Sequence, residues 1–324
     1  IGETTFFTIA NSDLPNNDIY DLLEDSSGNI FIGTSYGLAK FDGVSSTGWT
    51  IFNTENSNLP NNTILALLED NSDNIFVGTD GGGLAKFDGI SNTGWTIFNT
   101  GNSALPNNTI MSLLESNNDI IVVGTANGLV KFNEVNNTGW AHFDIFASTI
   151  YSLLENSNGD IFVGTYGLEK FEGGNSTNST HFLASPSGLP SNYVTALLES
   201  SSGDIFVGTS GGGLAKFDGS SYNDWTIFNA GNSGMPSQYI HSLLKSSSGD
   251  IFAGTGNGPT GLVKFDGSSY NDWTVFYNVS SSNAISSLLE SSSGDIFVGT
   301  LGSGLAKFDG VSDSGWTIFN MQNS

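Results

Sequence analysis

The sequence predicts an all-β fold of seven repeats, and three observations support that prediction. A Gly-Thr pair recurs seven times within the 324 residues, at spacings of 40 to 46 residues. Each repeat holds four short apolar segments separated by turn residues, and no segment has helical periodicity. These features predict one domain over residues 1–324, a seven-bladed β-propeller of four-stranded antiparallel blades. The repeats are centred on the glycines of the pairs, Gly33, Gly78, Gly124, Gly164, Gly208, Gly254 and Gly299.

The fifth repeat shows how the sequence specifies each strand of a blade. Its first strand is rich in apolar residues, its second is β-branched and aromatic, and its third and fourth both end in phenylalanine. The serine, glycine and aspartate residues between these segments are typical of tight turns. The strands are predicted at Val194–Leu198, Ile205–Thr209, Leu214–Phe217 and Trp225–Phe228. A ring of such blades is favoured over a linear solenoid, because closure removes exposed sheet edges.

The fourth-strand motif occurs once more than seven blades require. Seven copies end at Phe52, Phe98, Phe143, Phe182, Phe228, Phe276 and Phe319. An eighth copy contains Phe6 and Phe7, so the chain holds about 29 strands where a closed ring of four-stranded blades needs about 28. Either this N-terminal copy closes the last blade and the copy with Trp316, Ile318 and Phe319 is surplus, or the C-terminal copy closes the blade and the N-terminal copy is surplus. The surplus strand either doubles the edge of the closing blade or adds to a neighbouring subunit.

The repeated motif carries a family resemblance. Its segments read Leu-Pro, Leu-Leu-Glu, Gly-Asp-Ile-Phe-Val-Gly-Thr and Lys-Phe-Asp-Gly. This pattern resembles the two-component regulator propeller repeat, in which an aromatic residue stands where this chain has Phe31, and a basic residue precedes an aromatic one as in Lys40-Phe41. The resemblance extends from Leu14 to Phe319. It implies the propeller fold, and a role either as the extracytoplasmic sensing propeller of a hybrid histidine kinase or as a free-standing exported protein.

Charge and composition exclude several classes of function. The chain has 32 acidic residues and eight basic ones, all lysine, for a net charge of −24. A surface of this sign does not bind nucleic acid or anionic lipid. No apolar run is long enough for membrane insertion. The absence of cysteine excludes disulfides and thiolate catalysis. The remaining surface is uncharged and polar, which favours an extracellular or cell-surface protein, or a periplasmic one for a sensor.

Two charged residues repeat with the blades. Six first strands end in Leu-Leu-Glu, whereas the sixth repeat has Lys245, and every third strand carries a lysine. Repetition in every blade favours a structural Glu–Lys ion pair, within each blade or between blades, over an anion-binding ring. The predicted pairs include Glu24 with Lys40, Glu69 with Lys86 and Glu199 with Lys216.

Three further residue sets point to packing or modification rather than to catalysis. The fourth-strand tryptophans favour packing in the blades, with stacking on sugars as the alternative. Six Asn-x-Ser/Thr sequons, at Asn61, Asn107, Asn136, Asn175, Asn178 and Asn278, are candidate N-glycosylation sites. No cofactor or metal is predicted, with calcium as the alternative left open by three turns. Residues 25–29, 70–74 and 156–160 resemble the start of calcium loops but lack the later ligands. The three histidines, His142, His181 and His241, lack a nearby acidic cluster in the sequence.

We therefore expect a non-enzymatic exported propeller that acts by binding. Its most concrete form is a self-assembling subunit of a cell-surface appendage or layer, linked through a terminal edge strand to copies of itself or to other surface proteins. The alternatives are the extracytoplasmic ligand-sensing propeller of a two-component receptor and a multivalent lectin or adhesin that binds glycans.

Overall fold

A computed structural model describes residues 5–42, 48–116, 119–133, 138–146, 149–217, 225–257, 261–265, 273–276 and 284–308. These residues form seven antiparallel sheets of four strands each, which confirms the predicted seven-bladed propeller. Two short helical turns, at Glu172–Gly174 and α1 at Ala184–Ser187, are the helical elements among these residues. No helix in the described ranges has the length and apolar character needed to cross a membrane.

The strands follow one another in chain order within each blade. Blade 1 is β2 (Ile19–Glu24), β3 (Ile30–Thr34), β4 (Gly37–Phe41) and β5 (Trp49–Phe52). Blade 2 is β6 (Ile64–Glu69), β7 (Ile75–Thr79), β8 (Leu84–Phe87) and β9 (Thr96–Phe98). Blade 3 is β10 (Ile110–Ser116), β11 (Ile120–Thr125), β12 (Gly128–Asn133) and β13 (Thr138–His142). Blade 4 is β14 (Ser152–Glu155), β15 (Ile161–Thr165), β16 (Gly167–Phe171) and β17 (Ser179–Phe182). Blade 5 is β18 (Val194–Glu199), β19 (Ile205–Thr209), β20 (Gly213–Phe217) and β21 (Trp225–Phe228). Blade 6 is β22 (Tyr239–Lys245), β23 (Ile251–Gly256), β24 (Leu262–Phe265) and β25 (Trp273–Phe276). Blade 7 is β26 (Ile285–Glu290), β27 (Ile296–Thr300) and β28 (Leu305–Phe308), completed by β1 (Thr5–Phe7).

The first strand of every blade lies innermost, where it contacts the first strands of both neighbours. This circle of contacts is closed by β2 against β26. The second strands are buried throughout, as in β3, because both of their faces pack against other blades. The fourth strands are half-buried, as in β5. The hydrophobic core is accordingly divided into seven clusters, each built from residues of adjoining blades.

The Gly-Thr pair repeats because adjoining blades pack closely at this point. A Cβ atom on Gly33 would lie 2.9 Å from Cγ2 of Ile64 in blade 2. The hydroxyl of Thr34 donates a 2.8 Å hydrogen bond to the carbonyl of Gly37 and so closes the following turn. The glycine admits the isoleucine of the next blade, and the threonine satisfies a buried carbonyl.

The N-terminal strand closes the ring. β1 pairs with β28 in antiparallel register, from Thr5 opposite Lys307 to Phe7 opposite Leu305. Phe7 is buried, and its ring centroid lies 5.0 Å from that of Phe41 in blade 1. These contacts decide which copy of the fourth-strand motif completes blade 7. The other copy, with Trp316, Ile318 and Phe319, lies outside the described residues.

The tryptophans stack within the blades. The rings of Trp95 and Phe87 are nearly parallel, with centroids 4.0 Å apart, and Trp49 stacks on Phe41 at 4.5 Å. One face of each of these indoles is therefore covered by protein, as the packing interpretation predicts.

Strand register decides which side chains share a face of a blade. Lys40 lies opposite Phe31, and Phe31 lies opposite Leu23, so these side chains lie on one face. Glu24 lies opposite Ile30, one position further along the strand, and so belongs to the other face. A glutamate and a lysine of one blade therefore lie on opposite sides of the sheet.

The lysines consequently pair with turn aspartates rather than with the predicted glutamates. Nζ of Lys40 lies 3.5 Å from Asp25, which follows Glu24 and returns to the face of the lysine. The corresponding distances are 3.2 Å for Lys86 and Asp70 and 2.8 Å for Lys216 and Asp204. The predicted partners Glu24, Glu69 and Glu199 accept hydrogen bonds from the turn of the preceding blade instead.

Candidate ligand-binding channel and upper face

Antiparallel connection places the loops of the propeller on two faces. The turns between second and third strands and the loops that join successive blades lie on one face, which we call the upper face. The turns between first and second strands lie on the opposite, lower face. The turns between second and third strands and the upper ends of the first strands differ from blade to blade, so these regions are the candidates for a specific site.

The seven first strands enclose a cavity of about 270 Å³ along the axis of the ring. A register shift follows the first residue of β2, β6, β10, β18 and β26 and the second residue of β22. Such bulges re-aim side chains. The residues just after the first apolar position differ from blade to blade: Tyr20, Leu65, Met111, Tyr151, Thr195, His241 and Ser286. Tyr20 and Tyr151 are the aromatic members of the cavity lining.

Asp21 is the acidic member of that lining. Its Oδ1 accepts hydrogen bonds from the backbone N–H of Leu22 (2.9 Å) and from the hydroxyl of Ser287 in blade 7 (3.2 Å). Its Oδ2 accepts a bond from the backbone N–H of Leu67 in blade 2 (2.8 Å). Burial raises the pKa of Asp21 to about 6, and these three bonds oppose the rise. The carboxyl group thus joins three blades at the centre of the ring.

Exposed aromatic side chains gather on the upper face around blade 4. Tyr151, Tyr166 and Tyr193 form this group, which we call the aromatic patch. Phe146, 81% exposed, lies further out, against the fourth strand of blade 4. The rings of Tyr166 and Tyr193 meet edge to face at 5.2 Å. Large apolar groups exposed together on one surface mark interaction sites.

A short connection between blades 3 and 4 exposes Phe146 on the same face. Most other connections contain a Leu-Pro pair whose leucine is buried, as Leu59 is. The segment before Thr149 lacks this pair, and Ile145 packs against the core between blades 3 and 4. Phe146 projects beside it and stacks on His181, with ring centroids 5.3 Å apart.

A buried glutamate lies beneath the same connection. Glu169 is fully buried and accepts hydrogen bonds from the N–H of Phe146 (3.0 Å) and the hydroxyl of Ser179 (2.9 Å). It lies directly opposite His181 in the strand register. Glu169 is not among the residues predicted from the sequence, although a comparison of the repeats reveals it. The equivalent residues are Ala39, Ala85, Val130, Ala215, Val263 and Ala306.

The three histidines do not form a common site. His142 is exposed, His181 lies under Phe146, and burial lowers the pKa of His241. Among the residues that the structure describes, no group of three or more histidine, aspartate or glutamate side chains is placed to hold a metal ion.

Positive charge is confined to the lower half of the ring. Lysines on third strands pair with aspartates of the lower turns, and Lys245 ends β22 at its lower end. The sequence has no arginine and no lysine in the upper loops. The upper face instead carries Asp18 and Asp80, which together with burial raise the pKa of Tyr20. The channel entrance therefore has a negative potential.

The candidate glycosylation sites lie in loops where they are described. The side chains of Asn61 and Asn107 accept bonds from the N–H groups two residues later, at 2.8 Å and 2.7 Å. Asn175 and Asn178 are exposed. Asn136 and Asn278 lie outside the described residues. Glycosylation of these residues stays a prediction.

Comparison with known proteins agrees with the fold. The two component regulator propeller model matches residues 13–36, 58–81 and 188–211, so the chain carries repeats of this type. No curated protein matches the chain.

Several solved structures have similar propellers. One is the extracellular domain of the putative hybrid two component system BT3049 from B. thetaiotaomicron, with a TM-score of 0.76 and 18% identity. It matches 96% of this chain and 42% of that one. The corresponding domain of BT4673 gives a TM-score of 0.74 and 21% identity, over 95% and 40% of the two chains. The chain thus spans less than half the length of either domain. Streptogramin B lyase, at 12% identity and a TM-score of 0.74, matches 95% of this chain and 97% of its own.

Proposed function

We propose that this propeller is a non-enzymatic ligand-binding module that acts outside the cytoplasm, as a sensor propeller does, with its ligand on the upper face beside the channel. One observation carries the proposal: the aromatic patch breaks the near-symmetry of the ring next to the channel entrance. Folding demands similar residues in every blade, whereas recognition of one ligand needs side chains that differ between blades. Tyrosine supplies both an apolar ring and a hydroxyl group for such contacts.

The comparisons support the location and the class of activity. The similar domains of BT3049 and BT4673 are described as extracellular parts of putative hybrid two component systems. The uncharged polar surface and net charge of −24 suit an exported protein.

A panel of probes tests this function by thermal shift. Neutral oligosaccharides, amino acids, small amines and small carboxylates are screened against the purified chain. We expect at least one probe to stabilise the protein, and its effect to fall in a Tyr166→Ala, Tyr193→Ala double variant. Tyr36→Ala is the matched control, because Tyr36 is an exposed tyrosine in the equivalent upper turn of blade 1. Equal shifts in all three proteins would contradict binding at the patch.

A second candidate function is self-assembly into a surface filament or layer. It is favoured by the fourth-strand motif at Trp316 to Phe319, which remains after β1 has taken the place beside β28. Addition of that segment to a sheet edge of a second copy would join subunits by main-chain hydrogen bonds. Electron microscopy of the full chain and of a variant lacking residues 309–324 tests this. Filaments that vanish on deletion while rings persist support assembly, and isolated rings in both samples contradict it.

A further inference from the structure

We propose that the central channel binds a small organic cation, with an ammonium group against Asp21 and its carbon atoms against the tyrosines of the channel wall. The inference rests on the proposed ligand-binding function and names a chemical class for the deepest part of that site. It depends on the position of Asp21 in the ring, on its hydrogen-bond partners and on the composition of the cavity.

Asp21 is not required by the repeat. It pairs with Gly33 in the strand register, and the residues at the same position in other blades are Ala66, Ser112, Ser152, Ala196, Ser242 and Ser287. Six blades therefore form with a small side chain at this position. A carboxylate in the centre of a protein carries a desolvation cost that alanine and serine avoid. The hydrogen bonds of Asp21 to blades 2 and 7 offset part of this cost, but the other six blades form without a carboxylate at this position.

The charge of Asp21 has no cationic partner among the described residues. Its hydrogen bonds come from two backbone N–H groups and from the hydroxyl of Ser287, which supply dipoles but no positive charge. A carboxylate has about four acceptor positions, so one position remains. Asp21 also keeps part of its surface open to the cavity that it lines.

The rest of the cavity suits an amine. Hydroxyl groups of Ser286 and Ser287 lie in the lining near Asp21, and Tyr20 and Tyr151 contribute aromatic rings. An ammonium group has three N–H donors for a carboxylate and neighbouring hydroxyls, and it is attracted to the face of an aromatic ring. The volume of about 270 Å³ is below that of pockets for drug-sized molecules, so the ligand is small. The acidic channel entrance attracts cations and repels anions.

An inorganic divalent ion fits less well. Calcium takes six to eight oxygen ligands, usually several carboxylates, whereas Asp21 is the acidic residue of the lining and no metal-binding group occurs in the described part of the chain.

Isothermal titration with defined probes tests the proposal at pH 8. Methylammonium, ethanolamine and putrescine are titrated into the full chain, with glycerol, acetate, potassium and calcium as comparison probes at equal ionic strength. We expect one or more amines to bind, and the affinity to fall at least tenfold in Asp21→Ser and in Asp21→Asn. Serine is already present at this position in other blades, so the Asp21→Ser variant introduces a residue that the fold accepts. Glu55→Gln, which removes an exposed upper-face charge, is the control that keeps amine affinity.

The outcomes separate this inference from the proposed function. No amine binding, or equal binding by the Asp21→Ser variant, overturns the channel site. Binding of potassium or calcium that is lost in Asp21→Ser also overturns it, because the occupant is then inorganic. If another probe binds and loses affinity in the Tyr166→Ala, Tyr193→Ala variant, the upper-face function stands while the amine site fails. If amines bind through Asp21 and no probe depends on the aromatic patch, the amine site stands while binding at the upper-face patch fails.

Discussion

Replacement of Lys245 by glutamate is expected to stabilise the ring by completing a bond that other blade interfaces already make. The glutamate that ends a first strand accepts hydrogen bonds from the turn of the preceding blade. Ser292 donates its N–H and hydroxyl to Glu24 at 2.6 Å and 2.8 Å, and Ser157 donates to Glu199 at 2.9 Å and 2.6 Å. Between blades 5 and 6 the acceptor is absent, because an ammonium group has no lone pair to offer.

The expected gain follows from these bonds. Ser201 occupies in blade 5 the turn position that Ser157 occupies in blade 4, so Lys245→Glu creates two possible hydrogen bonds to a carboxylate. A net gain of about 1 kcal/mol per bond applies to ordinary protein hydrogen bonds. Both residues are exposed, so we expect about 1 kcal/mol in total. For a chain of this length, that corresponds to a rise in Tm of about 1–2 °C.

Added negative charge opposes the gain, and the assay must separate the two effects. Chemical denaturation is measured in low salt and in 0.5 M NaCl, where repulsion between surface charges is screened. Lys245→Gln is the matched control, because it removes the positive charge without adding a negative one. Glu199→Lys is the reverse substitution and is expected to destabilise. A Lys245→Glu protein no more stable than Lys245→Gln in 0.5 M NaCl would refute the reasoning.

Three further predictions concern pH, stacking and close packing. Because burial raises the folded-state pKa of Asp21 to about 6, the folded protein retains a proton that the unfolded chain releases. The wild type should therefore lose up to about 3 kcal/mol of unfolding free energy relative to Asp21→Ser between pH 4 and pH 7.5; a constant difference in urea denaturation would contradict this. Trp95→Ala removes the 4.0 Å stack on Phe87 and should cost about 3 kcal/mol, with Trp95→Phe costing less in the same denaturation assay. Gly33→Ala places a methyl group 2.9 Å from Cγ2 of Ile64 and should cost about 1–3 kcal/mol. Ile64→Ala is costly by itself because Ile64 is buried, so a double variant that loses less stability than the sum of the two single variants identifies the clash as the cause.

The fold was predictable because its determinants recur. Each blade repeats the glycine that allows close packing of the next blade and the threonine that closes the turn. The same structural motif is therefore visible seven times in the sequence. The partners of Lys40, Lys86 and Lys216 were predicted wrongly because the position of the residues in the sequence was compared without the strand register. Glu24 pairs with Ile30 and Lys40 pairs with Phe31. Because Ile30 and Phe31 are consecutive in one strand, Glu24 and Lys40 lie on opposite faces of the sheet.

The candidate site was less predictable because it depends on departures from the repeat. Asp21 and Glu169 are each a single acid where the other blades have small or apolar residues. An alignment of the seven repeats would have revealed both. The aromatic patch is different, since Tyr166 and Tyr193 come from separate loops that only the packing of blade 5 against blade 4 brings together.

The pairing of β1 with β28 has a consequence for the order in which the protein forms. Thr5 lies opposite Lys307, so the partner of the N-terminal strand is synthesised roughly 300 residues after it. At a synthesis rate of about 5–20 residues per second, β28 is made on the order of 15–60 s after β1. During that time Phe6 and Phe7 have no edge to join, while complete blades can assemble behind them. Blade 7 is therefore the last to be completed, and a chain that stops short of β28 remains an open arc with two apolar ends.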